Sequence, residues 1–89
     1  MSNIEKYEKI VKENNVEMVE LWILYNMQCH ENYENLKNED DKAKLLYLTY
    51  SIWLKVEDIS LEKLSDVIMD NYEEALNGEI TKFNICIYL

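Results

Sequence analysis

The sequence predicts an all-α protein: a small four-helix, bundle-like single domain spanning residues 1–89, with an extended or short C-terminal segment. The chain has one Gly and no Pro, the residues on which tight turns between strands depend. Apolar residues recur at the helical period in four segments, and good capping residues precede three of these. A chain of 89 residues has room for one hydrophobic core.

The first predicted helix runs from about Asn3 to Glu13. Ser2 and Glu5 form an S-x-x-E pair, in which each side chain can satisfy a free backbone N–H of the first turn. Apolar residues follow at helical spacing, and two consecutive asparagines, residues 14–15, end the segment. We therefore expect a short amphipathic helix here.

Two central helices are predicted next. The second runs from about Val16 to Leu36, and the third begins after Asn38 and continues to about Val56. Apolar side chains cover more than half of the circumference of each, as is typical of buried helices. Asn38 is a good N-cap, and the acids 39–41 that follow it lie at the positive end of the helix dipole.

The fourth predicted helix begins after Ser60, an N-cap residue, and ends at Asn77-Gly78, where Gly adopts a left-handed cap without penalty. Ile59 is expected to pack on Leu64 and to fix the direction in which the helix begins. Its predicted buried stripe consists of Leu61, Leu64, Ile68, Tyr72 and Ala75.

Residues 79–89 carry a strand-like pattern, because the apolar residues at 83, 85, 87 and 89 alternate with other types. Three arrangements are open: an extended or short helical segment over the bundle, pairing with a second copy, or pairing with a strand at Val19–Tyr25. The last would make the protein α+β with a small two-stranded sheet. We favour the bundle, because the helical period over Val16–Leu36 continues for more turns than a strand could use.

Charge limits the classes of partner. Eighteen acids against nine lysines give a net charge of -9, which opposes approach to nucleic acid or to an anionic membrane. The chain also lacks an N-terminal signal and a membrane-spanning apolar run. We therefore expect a cytoplasmic protein that binds basic protein surfaces, with no direct contact with nucleic acid or membrane and with homodimerisation as an open alternative.

One short cluster resembles a metal or nucleophile site. His30 and Glu34 lie four residues apart and could both ligate a metal, and Cys29 could act as a thiolate beside the imidazole. The chain has a single His, however, and neighbouring residues on a helix point about 100° apart. We therefore interpret the cluster as a buried Cys beside a boundary His, and we predict no catalytic, cofactor or metal site. Whether Cys29 pairs with Cys86 stays open.

The last predicted helix carries five acids on the side opposite its apolar stripe, and consecutive like charges four residues apart destabilise a helix. This arrangement indicates a docking surface for a basic partner. Tyr and Trp side chains commonly anchor such interfaces. The predicted partner-binding residues are Glu62, Asp66, Asp70, Glu73, Glu74, Tyr47, Tyr50 and Trp53.

Together these features favour a non-catalytic protein–protein interaction module. The expected type is a small acidic inhibitor or antagonist, such as a phage anti-defence or immunity protein, that binds the basic surface of a nuclease or other nucleic-acid-binding protein. This last step is an analogy with a class of proteins. The alternatives are a dimerising structural or regulatory protein and a small metal-dependent enzyme.

Overall fold

A computed structural model describes residues 16–56 and 59–89; the first predicted helix, residues 3–13, lies outside them. Helices account for 74% of the described residues, which include no strand. The all-α prediction is therefore confirmed, and the two-stranded sheet is not supported because residues 19–25 are helical. The elements are α1 (Val16–Cys29), a 3₁₀ helix (Glu31–Asn35), α2 (Glu39–Trp53), α3 (Leu61–Asp70), α4 (Tyr72–Leu76) and α5 (Ile85–Tyr88).

The core lies where α1, α2 and α3 pack against one another. Each of these helices contributes side chains that are completely removed from solvent, and Ile80 and Ile85 from the C-terminal segment are buried with them. The helical members of this core include Ile23, Met27, Leu45, Trp53, Leu64, Ile68 and Met69. Because α3 contributes three of them and α1 and α2 contribute two each, the described part of the chain has three central helices where the sequence predicted two.

The second predicted helix is shorter than expected. It ends at Cys29, and His30 adopts an extended backbone conformation, with φ -82° and ψ 140°. The His30 ring accepts a hydrogen bond from the backbone N–H of Asn32 through Nδ1, at 3.0 Å, so it caps the following 3₁₀ helix. The prediction of one continuous helix to Leu36 was wrong, because a histidine acts here as an N-cap.

The predicted start of α2 is confirmed. Asn38 caps it by accepting a hydrogen bond from the N–H of Asp40 at 2.8 Å. Lys42 in the first turn donates to Glu39 at 3.1 Å and lies 5.0 Å from the centre of the Tyr33 ring. The hydrogen bond to Glu39 raises the pKa of Lys42. These contacts hold the 3₁₀ helix against the beginning of α2.

The fourth predicted helix begins at the expected place but is interrupted. Ser60 caps α3 by accepting from the N–H of Lys63 at 3.0 Å. At Asn71 the backbone leaves the helical region, with φ -121° and ψ 38°. The side-chain amide of Asn71 donates to the carbonyl of Val67 at 2.9 Å. The prediction of an unbroken helix to residue 76 was therefore wrong. Gly78 follows α4 with φ 78°, as predicted for a left-handed cap.

The C-terminal segment forms the short helix α5. Of the three arrangements left open, the short helical segment is confirmed, and the prediction of a strand in this chain was wrong. Side-chain hydrogen bonds stabilise the turn before α5. The N–H of Thr81 donates to Asn84 Oδ1 at 2.7 Å, and the N–H of Phe83 donates to Thr81 Oγ1 at 3.2 Å. Ile85 is fully buried, whereas Phe83 and Ile87 are exposed. The alternation of apolar residues therefore does not correspond to two faces of a strand.

Candidate functional site: an acidic surface on α3 and α4

The exposed side of α3 is almost entirely acidic. Its charged residues are Glu62, Lys63, Asp66 and Asp70, and they are also the only exposed residues of this helix. The three acids recur at four-residue intervals, about 6 Å apart along the axis. The buried side is wider than predicted, because Ser65, Val67 and Met69 are buried as well. Every solvent-facing position of α3 is therefore available for electrostatic contact.

Two further acids continue the surface on α4. Glu73 and Glu74 are both exposed. Because the helix is broken at Asn71, they do not continue the row of α3 at the same helical spacing. In the described part of the chain, no lysine forms an ion pair with any of the five acids. We call Glu62, Asp66, Asp70, Glu73 and Glu74 the acidic surface.

One side chain from another element contacts this surface. His30 Nε2 lies 2.7 Å from Asp70 Oδ1 and 3.7 Å from Asp66 Oδ1, and the His30 side chain is only 7% exposed. Because Nδ1 accepts the N–H of Asn32, the proton of the neutral ring lies on Nε2 and is donated to Asp70. His30 was predicted to lie between the buried and exposed faces of an amphipathic helix, and this contact with Asp70 was not predicted.

A second hydrogen bond joins the same two elements. The side-chain amide of Asn32 donates to the carbonyl of Met69 at 3.1 Å. The interruption of the helix at Asn71 leaves this carbonyl without its usual intrahelical donor. We call the pair of contacts, His30 to Asp70 and Asn32 to Met69, the clasp. It fixes the last turn of α3, and with it Asp70, relative to the 3₁₀ helix.

An open concavity of about 440 Å³ adjoins the acidic surface between the end of α1 and the beginning of α3. Its lining includes Asn26, Cys29, Glu62, Lys63 and Asp66. It therefore combines polar, apolar and charged groups, with two acids of the acidic surface at its wall.

The two cysteines differ from expectation. Cys29 and Cys86 are both exposed and free, so the interpretation of residue 29 as a buried Cys was wrong and no disulfide joins the two. Within residues 16–56 and 59–89, no group of three His, Cys, Asp or Glu side chains converges in a way that could hold a metal ion.

The predicted aromatic anchors are only partly accessible. Tyr47 is exposed and Tyr50 is partly buried, but Trp53 is completely buried in the core, and its indole N–H has no hydrogen-bond partner among the described residues. Trp53 therefore presents no area to a partner, because it lies on the buried side of α2. Among the described residues, no hydrogen bond, ion pair or shared concavity joins Tyr47 or Tyr50 to the acidic surface.

No helix in the described ranges is both long and apolar enough to cross a bilayer. Comparison of the chain with protein-family models, with curated proteins and with solved structures returned no match.

Proposed function

We infer that the protein is a non-catalytic binding protein of the inhibitor or antagonist type, whose acidic surface docks on a basic surface of another protein. One observation carries this proposal: every exposed residue of α3 is charged, three of the four are acids, and no lysine in the described residues pairs with them. A nuclease or another nucleic-acid-binding protein is the class of partner whose basic surface matches this charge.

The energetic argument starts from repulsion within the surface. Glu62 with Asp66, and Asp66 with Asp70, are like-charge pairs four residues apart, and each destabilises the helix by about 0.2–0.5 kcal/mol. A lysine or arginine supplied by a partner would remove this repulsion on binding. Solvent-exposed ion pairs contribute only about 0.2–1 kcal/mol each. The acidic surface therefore supports orientation and fast association more than it supports high affinity.

A deeper contact is available beside the acids. The concavity of about 440 Å³ has Glu62 and Asp66 at its wall, so a long basic side chain could place its aliphatic stem in the depression and its charge on a carboxylate. An arginine would suit the site best, because its guanidinium can bond both oxygens of one carboxylate. Tyr47 stays a predicted anchor for a more distant part of the interface.

The engagement of His30 supports a non-catalytic role. One ring nitrogen accepts a backbone hydrogen bond and the other contacts Asp70, so neither is free to take a proton from a substrate or to bind a metal. A general base needs an unoccupied nitrogen within reach of the reacting group. The single imidazole of the chain thus serves to connect two elements.

The test compares two variants with equal changes in net charge. The first neutralises three members of the acidic surface by Asp66→Asn, Glu73→Gln and Glu74→Gln, leaving the clasp intact. The control neutralises three exposed acids elsewhere by Glu34→Gln, Asp40→Asn and Glu79→Gln. A partner is first captured from host lysate with the unmodified chain, and its affinity for each variant is then measured by calorimetry with the purified proteins.

The first variant is expected to bind about ten-fold more weakly or worse, because three exposed ion pairs together contribute roughly 1–2 kcal/mol. The control should bind as the unmodified chain does, and the affinity of that chain should fall as salt rises. Equal losses in both variants would show that overall charge, and not this surface, determines binding. An affinity that does not change with salt concentration would also contradict the proposal.

A further inference from the structure

A second surface of the molecule is apolar and lies on α1. Met18, Leu21 and Tyr25 are 64%, 65% and 64% exposed, although each is a large side chain. Their spacing of three and four residues places them within a sector of about 60° on the helix. Gln28 follows Tyr25 by three residues, lies beside the same sector of the helix and is also exposed. We call these four residues the α1 stripe; none of them is charged.

We propose that a second copy of this chain covers the α1 stripe, and that the two α1 helices pair in antiparallel orientation. The twofold axis crosses the exposed side of α1 at the level of residue 23. In this register Leu21 faces Tyr25 of the second copy, and Met18 faces Gln28 of the second copy. The spacing of the stripe is that of the a and d positions of two heptads, which is the pattern of packed helix pairs. A twofold pair uses the same surface on both copies and closes on itself.

Charge selects this surface for self-association. Each copy carries a net charge of -9, so two copies repel wherever charged surfaces meet. The uncharged α1 stripe is a surface on which that repulsion is weak. The antiparallel orientation also keeps Glu17 of one copy about 18 Å along the axis from Glu17 of the other, and separates the two Glu20 residues by about 9 Å, whereas a parallel pair would place like acids side by side.

The other exposed apolar region suits a second copy less well. Phe83 lies at a concavity between α2 and the C-terminal segment, and Lys55 and Lys82 line the same concavity. A twofold contact there would bring four lysines together. Like charges in direct opposition are unfavourable, so this region serves as the control and not as the proposed interface.

The interface is expected to be weak. A helix of 14 residues is about 21 Å long, and one helix pair of this length buries less than the roughly 800 Å² per partner of a standard stable complex. The dissociation constant should therefore lie in the micromolar to millimolar range. Salt should strengthen the dimer, because it screens the repulsion between two acidic copies. This dependence is opposite in sign to that of partner binding at the acidic surface, so either proposal can fail without the other.

Sedimentation velocity of the full chain from about 10 μM to 1 mM tests the dimer. The substitution Leu21→Asp should weaken it at least ten-fold, since it places a carboxylate against Tyr25 of the second copy. The matched control Ile87→Asp alters a side chain that is 82% exposed and should change the constant less than about two-fold, within the scatter of independent sites. Circular dichroism confirms that both variants fold. A monomer at all concentrations, or a dimer equally sensitive to both changes, overturns the proposal.

Cross-linking tests the register. With Cys29→Ser and Cys86→Ser in the background, the thiols introduced by Met18→Cys and Gln28→Cys together should form a disulfide between the two copies on mild oxidation, from position 18 of one copy to position 28 of the other. Within one helix these positions lie about 15 Å apart, too far for a bond that needs Cα atoms within about 7 Å. Met18→Cys alone should not cross-link, because only a parallel pair would bring position 18 of one copy to position 18 of the other. A dimer that forms the latter bond, or lacks the former, refutes the antiparallel pairing.

Discussion

Replacement of His30 by Ala is predicted to lower the free energy of unfolding by about 2–3 kcal/mol. The variant loses three contributions. The hydrogen bond to Asp70, a carboxylate that is 59% exposed, contributes about 0.5–1 kcal/mol after allowance for solvent. The cap on the N–H of Asn32 contributes about 1 kcal/mol. Burial of a ring that is 7% exposed contributes about 1 kcal/mol more.

A double-mutant cycle isolates the contact between the two side chains. We expect His30→Ala and Asp70→Ala to show a coupling energy of about 0.5–1 kcal/mol, since His30 Nε2 lies within hydrogen-bond distance of Asp70 Oδ1, at 2.7 Å. Asp66 supplies the matched control, because its oxygen lies 3.7 Å from the same nitrogen and should couple by less than about 0.3 kcal/mol.

Urea unfolding followed by the fluorescence of buried Trp53 provides the measurement. Each variant gives a midpoint and a slope, and an unchanged slope shows that two-state unfolding is retained. If the losses from His30→Ala and Asp70→Ala simply add, the clasp makes no energetic contribution and the reasoning fails. The same conclusion follows if Asp66 couples to the ring as strongly as Asp70 does.

Five further substitutions at four positions test the core and one cap by urea unfolding, followed here by circular dichroism because two of the substitutions remove Trp53. Ser65→Ala should raise stability by up to about 1 kcal/mol, because no described residue forms a hydrogen bond with the buried hydroxyl. The hydroxyl of Thr49 donates to the carbonyl of Leu45 at 2.7 Å, so Thr49→Ala should instead lower stability by about 1–2 kcal/mol. Trp53→Ala should lower stability by about 3–5 kcal/mol, and Trp53→Phe should lower it far less, since Phe removes the unpaired indole N–H as well. Gly78→Ala should lower stability by about 1 kcal/mol through backbone strain alone, because an added Cβ meets nothing within 4 Å. A stabilising Gly78→Ala, or a Ser65→Ala as harmful as Thr49→Ala, would contradict these assignments.

The helix boundaries that could be predicted are those set by local chemistry. Asn38 and Ser60 each cap a helix through an N–H two or three residues later, and Gly78 adopts the left-handed conformation that follows a helix. Such interactions involve only neighbouring residues, so the sequence displays both partners together. The hydrogen bonds between Thr81 and Asn84 are equally local, but the alternation of apolar residues in the same segment is the pattern of a strand.

The two hydrogen bonds of the clasp could not be predicted in this way. His30 and Asp70 are separated by 40 positions, and Asn32 and Met69 by 37, so no local pattern reveals either contact. The acidic residues of α3 were identified correctly as an exposed row because amphipathic spacing alone determines that outcome. The position of Trp53 on the buried side of α2 was not recognised, because apolar residues surround most of this helix and leave its outer face poorly defined.

The clasp gives the molecule an internal spectroscopic reporter. The chain contains one histidine, so any imidazole signal in a proton NMR spectrum belongs to that residue. A proton held between Nε2 and Asp70 exchanges slowly with water only while the ring keeps both of its bonds. The line width of that single signal would therefore record, without labels or substitutions, whether the turn after α1 and the end of α3 remain together as temperature, salt or a bound protein is varied.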